Sequence, residues 1–294
     1  MKDSKLTIVD FIREILNDQT FSETQIAIFK SIYGLPLSDH ELEINFRGTG
    51  RATYDAKEQP EVTIIAGRRG GKTKMAAAIA CYEAFRNHGL PRGELGHVML
   101  LAPTLDQSGI AFQYIRNNLR NSPILSKCIT RATKDEITLN NNIVIGSYAC
   151  TQAGVRGRSV VAVICDEIGF WATDEDAANP ADEVLAAIRP AMVTVRNAKL
   201  IKISTPYTKS GVLWNEFQQR RELNFPVWRL STFELNPTVT PEMEMVESER
   251  RRSEENYRRE YLAQFTDAVN GWIVPEILDP VSSLVAGNSL ITLT

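Results

Sequence analysis

Apolar residues along this chain fall into short continuous runs separated by polar, helix-spaced stretches. The runs Val62 to Ala66, Val98 to Ala102, Ile143 to Tyr148, Val160 to Cys165 and Leu200 to Ser204 are rich in β-branched residues. Continuous apolar strands, as opposed to alternating ones, imply burial on both faces. They predict an α/β fold with a mostly parallel central sheet flanked by helices. Residues 7–34 read as helical, with Ile8, Phe11, Ile12 and Ile15 at helical spacing and Ser22 as N-cap before Gln25, Ile28 and Phe29. From Leu37 to Gln59 the chain is polar and interrupted by Gly48 and Gly50, which reads as an insertion or a mobile loop. Between Ile137 and Ile145 two β-rich halves flank an Asn cluster that tolerates left-handed backbone, so a hairpin is predicted there. A helix around Trp214 to Arg221, a strand-like Val227 to Thr232 and a helical stretch from Pro241 to Phe265 follow.

The strand Val62 to Ala66 runs through Gly67-Arg-Arg-Gly-Gly-Lys-Thr73 into the helical pattern Met75 to Arg86. That is a phosphate-binding P-loop in its proper setting. Gly67, Gly70 and Gly71 let the backbone wrap closely around phosphate oxygens, and the following helix directs its N-terminal amides at them. Lys72 is placed to reach the β- and γ-phosphates of ATP, and Thr73 to offer its hydroxyl to Mg²⁺. The usual pattern begins with Gly where this chain has Ala66. Of Arg68 and Arg69, one can sense the γ-phosphate or a neighbouring subunit while the other is solvated. A second apolar strand, Val160 to Cys165, ends in Asp166 and Glu167, where an α/β sheet presents ligands. This is a Walker B element: Asp166 for the Mg²⁺ shell, Glu167 to orient and polarise the attacking water. An Asp-Glu pair favours a hydrolase over a nucleotide binder.

The 294 residues, 43% of them hydrophobic, support one main core. The 33 basic and 36 acidic side chains nearly cancel, so any grip on nucleic acid must be local. Cys81, Cys128, Cys150 and Cys165 form no CxxC pair, and His40, His88 and His97 lack metal-ligand spacing. The charged N-terminus lacks a signal core, and no run approaches the ~20 apolar residues of a membrane span. A soluble cytoplasmic protein is expected.

Taken jointly, Phe21-Ser-Glu-Thr-Gln25, the loop GRRGGKT, Val155-Arg-Gly-Arg158 and Ile203-Ser-Thr-Pro206 resemble the ATPase part of a viral (tailed-bacteriophage) terminase large subunit, over about residues 20–270. The resemblance implies an ASCE-type P-loop ATPase that drives double-stranded DNA into a procapsid. It further implies a ring of five subunits, a portal protein and a small terminase subunit as partners, and the host cytoplasm as location. By the same resemblance Gln25 contacts adenine, Ser204 and Thr205 form a coupling motif that senses loss of the γ-phosphate, and Arg156, with Arg158 as rival, is the arginine that reaches into a neighbour's site. Gln25 as a surface residue and Ser-Thr-Pro as a plain strand end remain the alternatives. The division it implies is an ATPase core over 1–210, a lid subdomain over 211–265 and, over 266–294, a linker toward a nuclease domain, so no nuclease activity is expected of this chain. Arg250, Arg251, Arg252, Arg258 and Arg259 are interleaved with Glu247, Glu249, Glu254, Glu255 and Glu260, which favours a salt-bridged solvated face over a DNA or subunit contact. Two other readings compete: a helicase or remodelling ATPase, for which the chain lacks a second RecA-like domain, and a nucleotide-gated assembly switch, against which Glu167 argues.

Overall fold

The computed structural model describes residues 6–151, 157–171 and 181–267. Among the described residues eight strands are formed: β1 (Glu61–Ala66), β2 (Gly96–Ala102), β3 (Ile129–Ala132), β4 (Glu136–Leu139), β5 (Ile143–Ala149), β6 (Ser159–Asp166), β7 (Lys199–Ser204) and β8 (Val227–Leu230). They join one sheet in the order β3-β4-β5-β2-β6-β7-β1-β8. From β5 to β8 every neighbouring pair is parallel, and β3 and β4 extend the sheet antiparallel. The expected hairpin is β4–β5, and Asn142 in its turn has φ +63°, as a left-handed turn residue should.

Helices cover both faces, as the continuous apolar strands require. On one face α4 (Lys72–Phe85) and α5 (Leu105–Asn121) pack with α1 (Ile8–Asp10) and α2 (Glu23–Ile32) over Ile64, Val98, Leu100 and Ile203. On the other, α6 (Ala181–Met192) and α7 (Gly211–Gln218) cover Ile65, Met99, Leu101 and Val163.

Residues 7–34 are helical in two pieces: α1 continues as a π-turn over Phe11–Ile15, left-handed Asn17 follows it, and α2 begins at the capping box of Ser22 and Gln25, the N-cap read from the sequence. Three expectations change. The polar segment after Leu37 holds an eleven-residue helix, α3 (Asp39–Thr49). Ser38 and Glu41 form its capping box, and Gly50, read from sequence as an interruption, is its left-handed C-cap at φ +67°. The division at residue 210 cuts through the sheet, because β8 lies in the segment expected to form a separate lid and pairs in parallel with β1. Only the helices after it, α8 (Thr232–Leu235), α9 (Glu244–Arg252) and α10 (Glu254–Glu260), stand outside the sheet, and the expected single helix is broken at Ser253, which caps α10.

Candidate active site

The order β6-β7-β1 puts the strand ending in Ser204 between the P-loop strand and the strand ending in Asp166. Ile65 pairs with Ser204, and Asp166 with Ile203. Three parallel strands therefore finish at one rim within a residue of each other, which is where such sheets bind ligands.

At that rim Lys72 is 8% exposed. Its Nζ donates to Thr205 Oγ1 at 2.7 Å and to the Ala66 carbonyl at 3.4 Å, and lies 4.0 Å from Glu167 Oε1. Glu167 has φ +50°, a left-handed conformation that costs a non-glycine residue roughly 1–2 kcal/mol. Its Oε2 accepts from the Ser204 hydroxyl at 3.1 Å and the Thr205 amide at 3.3 Å. The lysine, the glutamate and the Ser-Thr pair thus form one connected network across three strands. Asp166, also buried, accepts the Glu167 amide on Oδ1 at 3.0 Å, and the Trp171 indole donates to its carbonyl at 3.0 Å.

The loop itself is held from outside the sheet. Gln25 Nε2 donates to the Gly70 carbonyl at 2.9 Å while its Oε1 accepts the Ser22 amide, so its buried amide braces the phosphate loop and caps α2. Thr232 Oγ1 donates to the Arg68 carbonyl at 2.6 Å and Asn236 Nδ2 to the Arg69 carbonyl at 2.9 Å. The exposed Arg68 side chain pairs with Glu260 at 2.9 Å, whereas Arg69, also exposed, adopts φ +64°. A Cβ on Gly67 would come within 2.8 Å of the Thr232 amide and the Tyr261 carbonyl, both backbone atoms, so only glycine fits. Gly71, at φ +85°, caps the N-terminus of α4, and Thr73 stands in that helix's first turn, partly exposed. Ala66 needs no glycine conformation, because it is the last residue of β1, in extended pairing with Leu230. Sequence reasoning missed Thr232, Asn236 and Glu260, more than 160 residues from the loop they grip.

Arg158 and Asp166 flank opposite ends of β6, roughly 25 Å apart at the usual strand rise. Arg158 lies 5.0 Å over the Tyr148 ring, away from the rim that holds Asp166. Arg156 lies outside the described residues.

Burial of Lys72 depresses its proton affinity, against the fields of Glu167 and Asp166. Burial and the adjacent Glu167 push the Asp166 carboxyl up from 3.8 to about 6. Two neighbouring carboxylates that the lysine only partly neutralises suit a divalent cation, which Asp166 and Thr73 could hold. The raised value has a consequence for stability. Protonated Asp166 suits the fold, so stability is retained at low pH and lost as pH rises from about 4 through about 6; the interval corresponds to ~3 kcal/mol. Asp166→Asn is therefore expected to raise the melting temperature of the nucleotide-free, metal-free protein by several degrees at pH 7.5 and to leave it unchanged near pH 4. Equal melting temperatures at both pH values would show that Asp166 carries no such burden.

Comparisons with known proteins agree with this fold. The family model described as "Uncharacterized protein MJ0330, N-terminal P-loop domain" matches residues 1–261. No curated protein matches in sequence. Among solved structures, the large terminase ATPase domain of Thermus phage P74-26 superposes with a TM-score of 0.61 at 17% identity, covering 89% of this chain and 100% of that one. The large terminase of bacteriophage HK97 gives 0.56 at 17% identity, covering 88% of this chain and 58% of that one. A large terminase from another, thermophilic bacteriophage gives 0.55 at 13%, covering 84% and 54%. At these identities the likeness is one of fold.

Proposed function

Because this chain belongs to the family of the MJ0330 N-terminal P-loop domain, we propose that it is an ATPase, and that it acts as the motor of a viral DNA-packaging terminase. The observation that supports hydrolysis best is the convergence of Lys72, Thr205 and Glu167 at one rim. In this reading the amides of Gly67 to Gly71 cradle the phosphates, with Arg68 and Arg69 at the loop's outer side, and Lys72 binds the β- and γ-phosphate oxygens. Thr73 and Asp166 hold Mg²⁺, which when bound neutralises phosphate charge. Glu167 orients a water whose oxygen attacks the γ-phosphorus; the bond to the β–γ bridging oxygen breaks and the water's proton passes toward Glu167. Lys72 and Glu167 both touch the Ser204–Thr205 turn, so loss of the γ-phosphate frees Lys72 to return to Thr205, which suits a coupling motif. Gln25 sets the loop's position and lies beside the nucleotide, where an adenine contact falls to it. The helices from Thr232 onward act as a lid through Thr232, Asn236 and Glu260.

The finer part of the reading rests on fold likeness to terminases: double-stranded DNA as the translocated substrate, portal and small terminase subunit as partners, and assembly into a five-membered ring in the host cytoplasm. Arg156, or Arg158, then completes a neighbour's site, an arrangement typically worth ~10³ to 10⁵ in rate. An isolated subunit lacks that arginine. Steady-state phosphate release per subunit is therefore expected to be slow when dilute and to rise steeply with protein concentration, in a manner abolished by Arg156→Ala. A fast rate independent of concentration would rule out the ring. Tight ATP binding with no turnover at any concentration, with or without duplex DNA, would make the chain an assembly switch.

A further inference from the structure

Arginines gather where the loop after α7 meets the end of α3, beside the edge strand β8. Arg221 Nε donates to the Gly50 carbonyl at 3.1 Å. A methyl group on Gly50 would stand 3.3 Å from Arg220 Nε and 3.8 Å from Arg221 Nε, so both guanidinium groups crowd one point. Arg220 and Arg229 lie 4.3 and 5.4 Å over the same Phe217 ring. Arg51 reaches across from the other side and donates to the carbonyls of Leu223, at 2.7 Å, and Phe225.

Among the described residues none of these four forms an ion pair with a carboxylate. Asp55, which borders the same hollow, is paired with Lys57, and its charge also reaches Arg51. The contrast with α9 and α10 is sharp: Arg250, Arg251, Arg252, Arg258 and Arg259 each pair with a glutamate. Like charges held together by carbonyl groups and a ring face repel unless an anion neutralises them. Arg221 and Arg229 are exposed, and an open hollow of about 790 Å³ lies between Arg51, Thr53 and Arg221. Arg51, just after α3, Arg220 and Arg221, after α7, and Arg229, on β8, spread this charge over three elements at the sheet edge, which suits successive phosphates of a strand better than a single anion.

We propose that this edge grips the sugar–phosphate backbone of duplex DNA, with Arg221 and Arg229 contacting phosphates and Arg51 and Arg220 adding their field behind them. The proposal rests on the reading of DNA as the motor's substrate and supplies a local basic surface on a chain of net charge −3.

The test is fluorescence anisotropy of a short mixed-sequence duplex with the full chain across a range of salt. Arg221→Ala/Arg229→Ala is expected to weaken binding about tenfold, equally for unrelated sequences, and to flatten the slope of log affinity against log salt by ~1.8, about 0.9 per phosphate contact. Arg250→Ala/Arg251→Ala removes the same charge from a paired surface and should leave the slope unchanged. Basal ATP hydrolysis should survive in both. Should the double variant at the edge misfold, Arg229→Ala alone should lower the slope by ~0.9. A slope equal to wild type, or a loss matched by the α9 control, overturns this site while the motor reading stands. So does a variant that binds DNA normally but self-associates less, since this edge then meets another protein. A wild type that binds no duplex under any nucleotide condition overturns both.

Discussion

Glu167→Gln should lower steady-state phosphate release by ~10²- to 10⁴-fold, the usual contribution of a positioned general base, while ATP affinity changes no more than a few-fold. Glutamine keeps the shape of the side chain, and its amide oxygen can still accept from Ser204 Oγ and the Thr205 amide, the two contacts that hold Glu167 across the rim. What it loses is the ability to take a proton and the charge opposite Lys72. Lys72→Ala should behave differently, since it removes the cation that buried Asp166 and partly buried Glu167 face and abolishes binding along with turnover. Binding isotherms and phosphate release measured on the same preparations separate the two. An equally slow rate in wild type and Glu167→Gln would mean that the carboxylate does no catalytic work and that the chain is a nucleotide-gated switch.

The strands and the P-loop were legible because their signals are local. An apolar run of five to seven residues, a glycine-rich turn and the acids of β6 can each be read within a dozen positions. The order of the strands was not, since nothing in Leu200 to Ser204 says that it inserts between β1 and β6; the resemblance alone hinted at it. Helix α3 was legible and missed: Ser38 and Glu41 stand at capping-box spacing, but low hydrophobicity and two glycines outweighed them. Its glycines have particular work, Gly48 lying where a Cβ would come within 2.8 Å of the Trp228 ring and Gly50 closing the helix. The grip of Thr232, Asn236 and Glu260 on the phosphate loop could not be read, because those contacts are polar, single and distant in sequence. Lys199 and Lys202 are the clearest failure of hydrophobic pattern. They sit within an otherwise apolar strand, face opposite sides of the sheet and are 1% and 0% exposed. The acids that make this tolerable, Glu58 and Glu61, lie some 140 residues earlier.

Replacing Lys202 with methionine should destabilise the protein by ~3–5 kcal/mol, a large part of the ~5–15 kcal/mol that holds a typical domain. Lys202 Nζ lies 2.6 Å from Glu61 Oε1, contacts Glu216 and sits 4.3 Å over the Phe225 ring. Methionine fills nearly the same volume, so little of the loss is a cavity. The cost comes from the acids left behind. Glu61 retains Arg189 at 2.9 Å, but Glu216 loses its ion-pair partner and keeps the Thr63 hydroxyl at 2.6 Å and the more distant charge of Arg189, a nearly buried carboxylate that these compensate only in part. Adding Glu216→Gln to Lys202→Met should therefore recover much of the stability, whereas Glu216→Gln alone should be harmful, because the sum of the single effects counts the broken pair twice. Urea unfolding of the four proteins of this cycle measures the coupling. Strictly additive effects would show that Lys202 and Glu216 do not depend on each other. Since Lys202 lies two residues before Ser204 on β7, a loosened strand should also slow hydrolysis before the protein unfolds, and the order of those two losses on adding urea reports how rigidly β7 holds the turn that links Lys72 to Glu167.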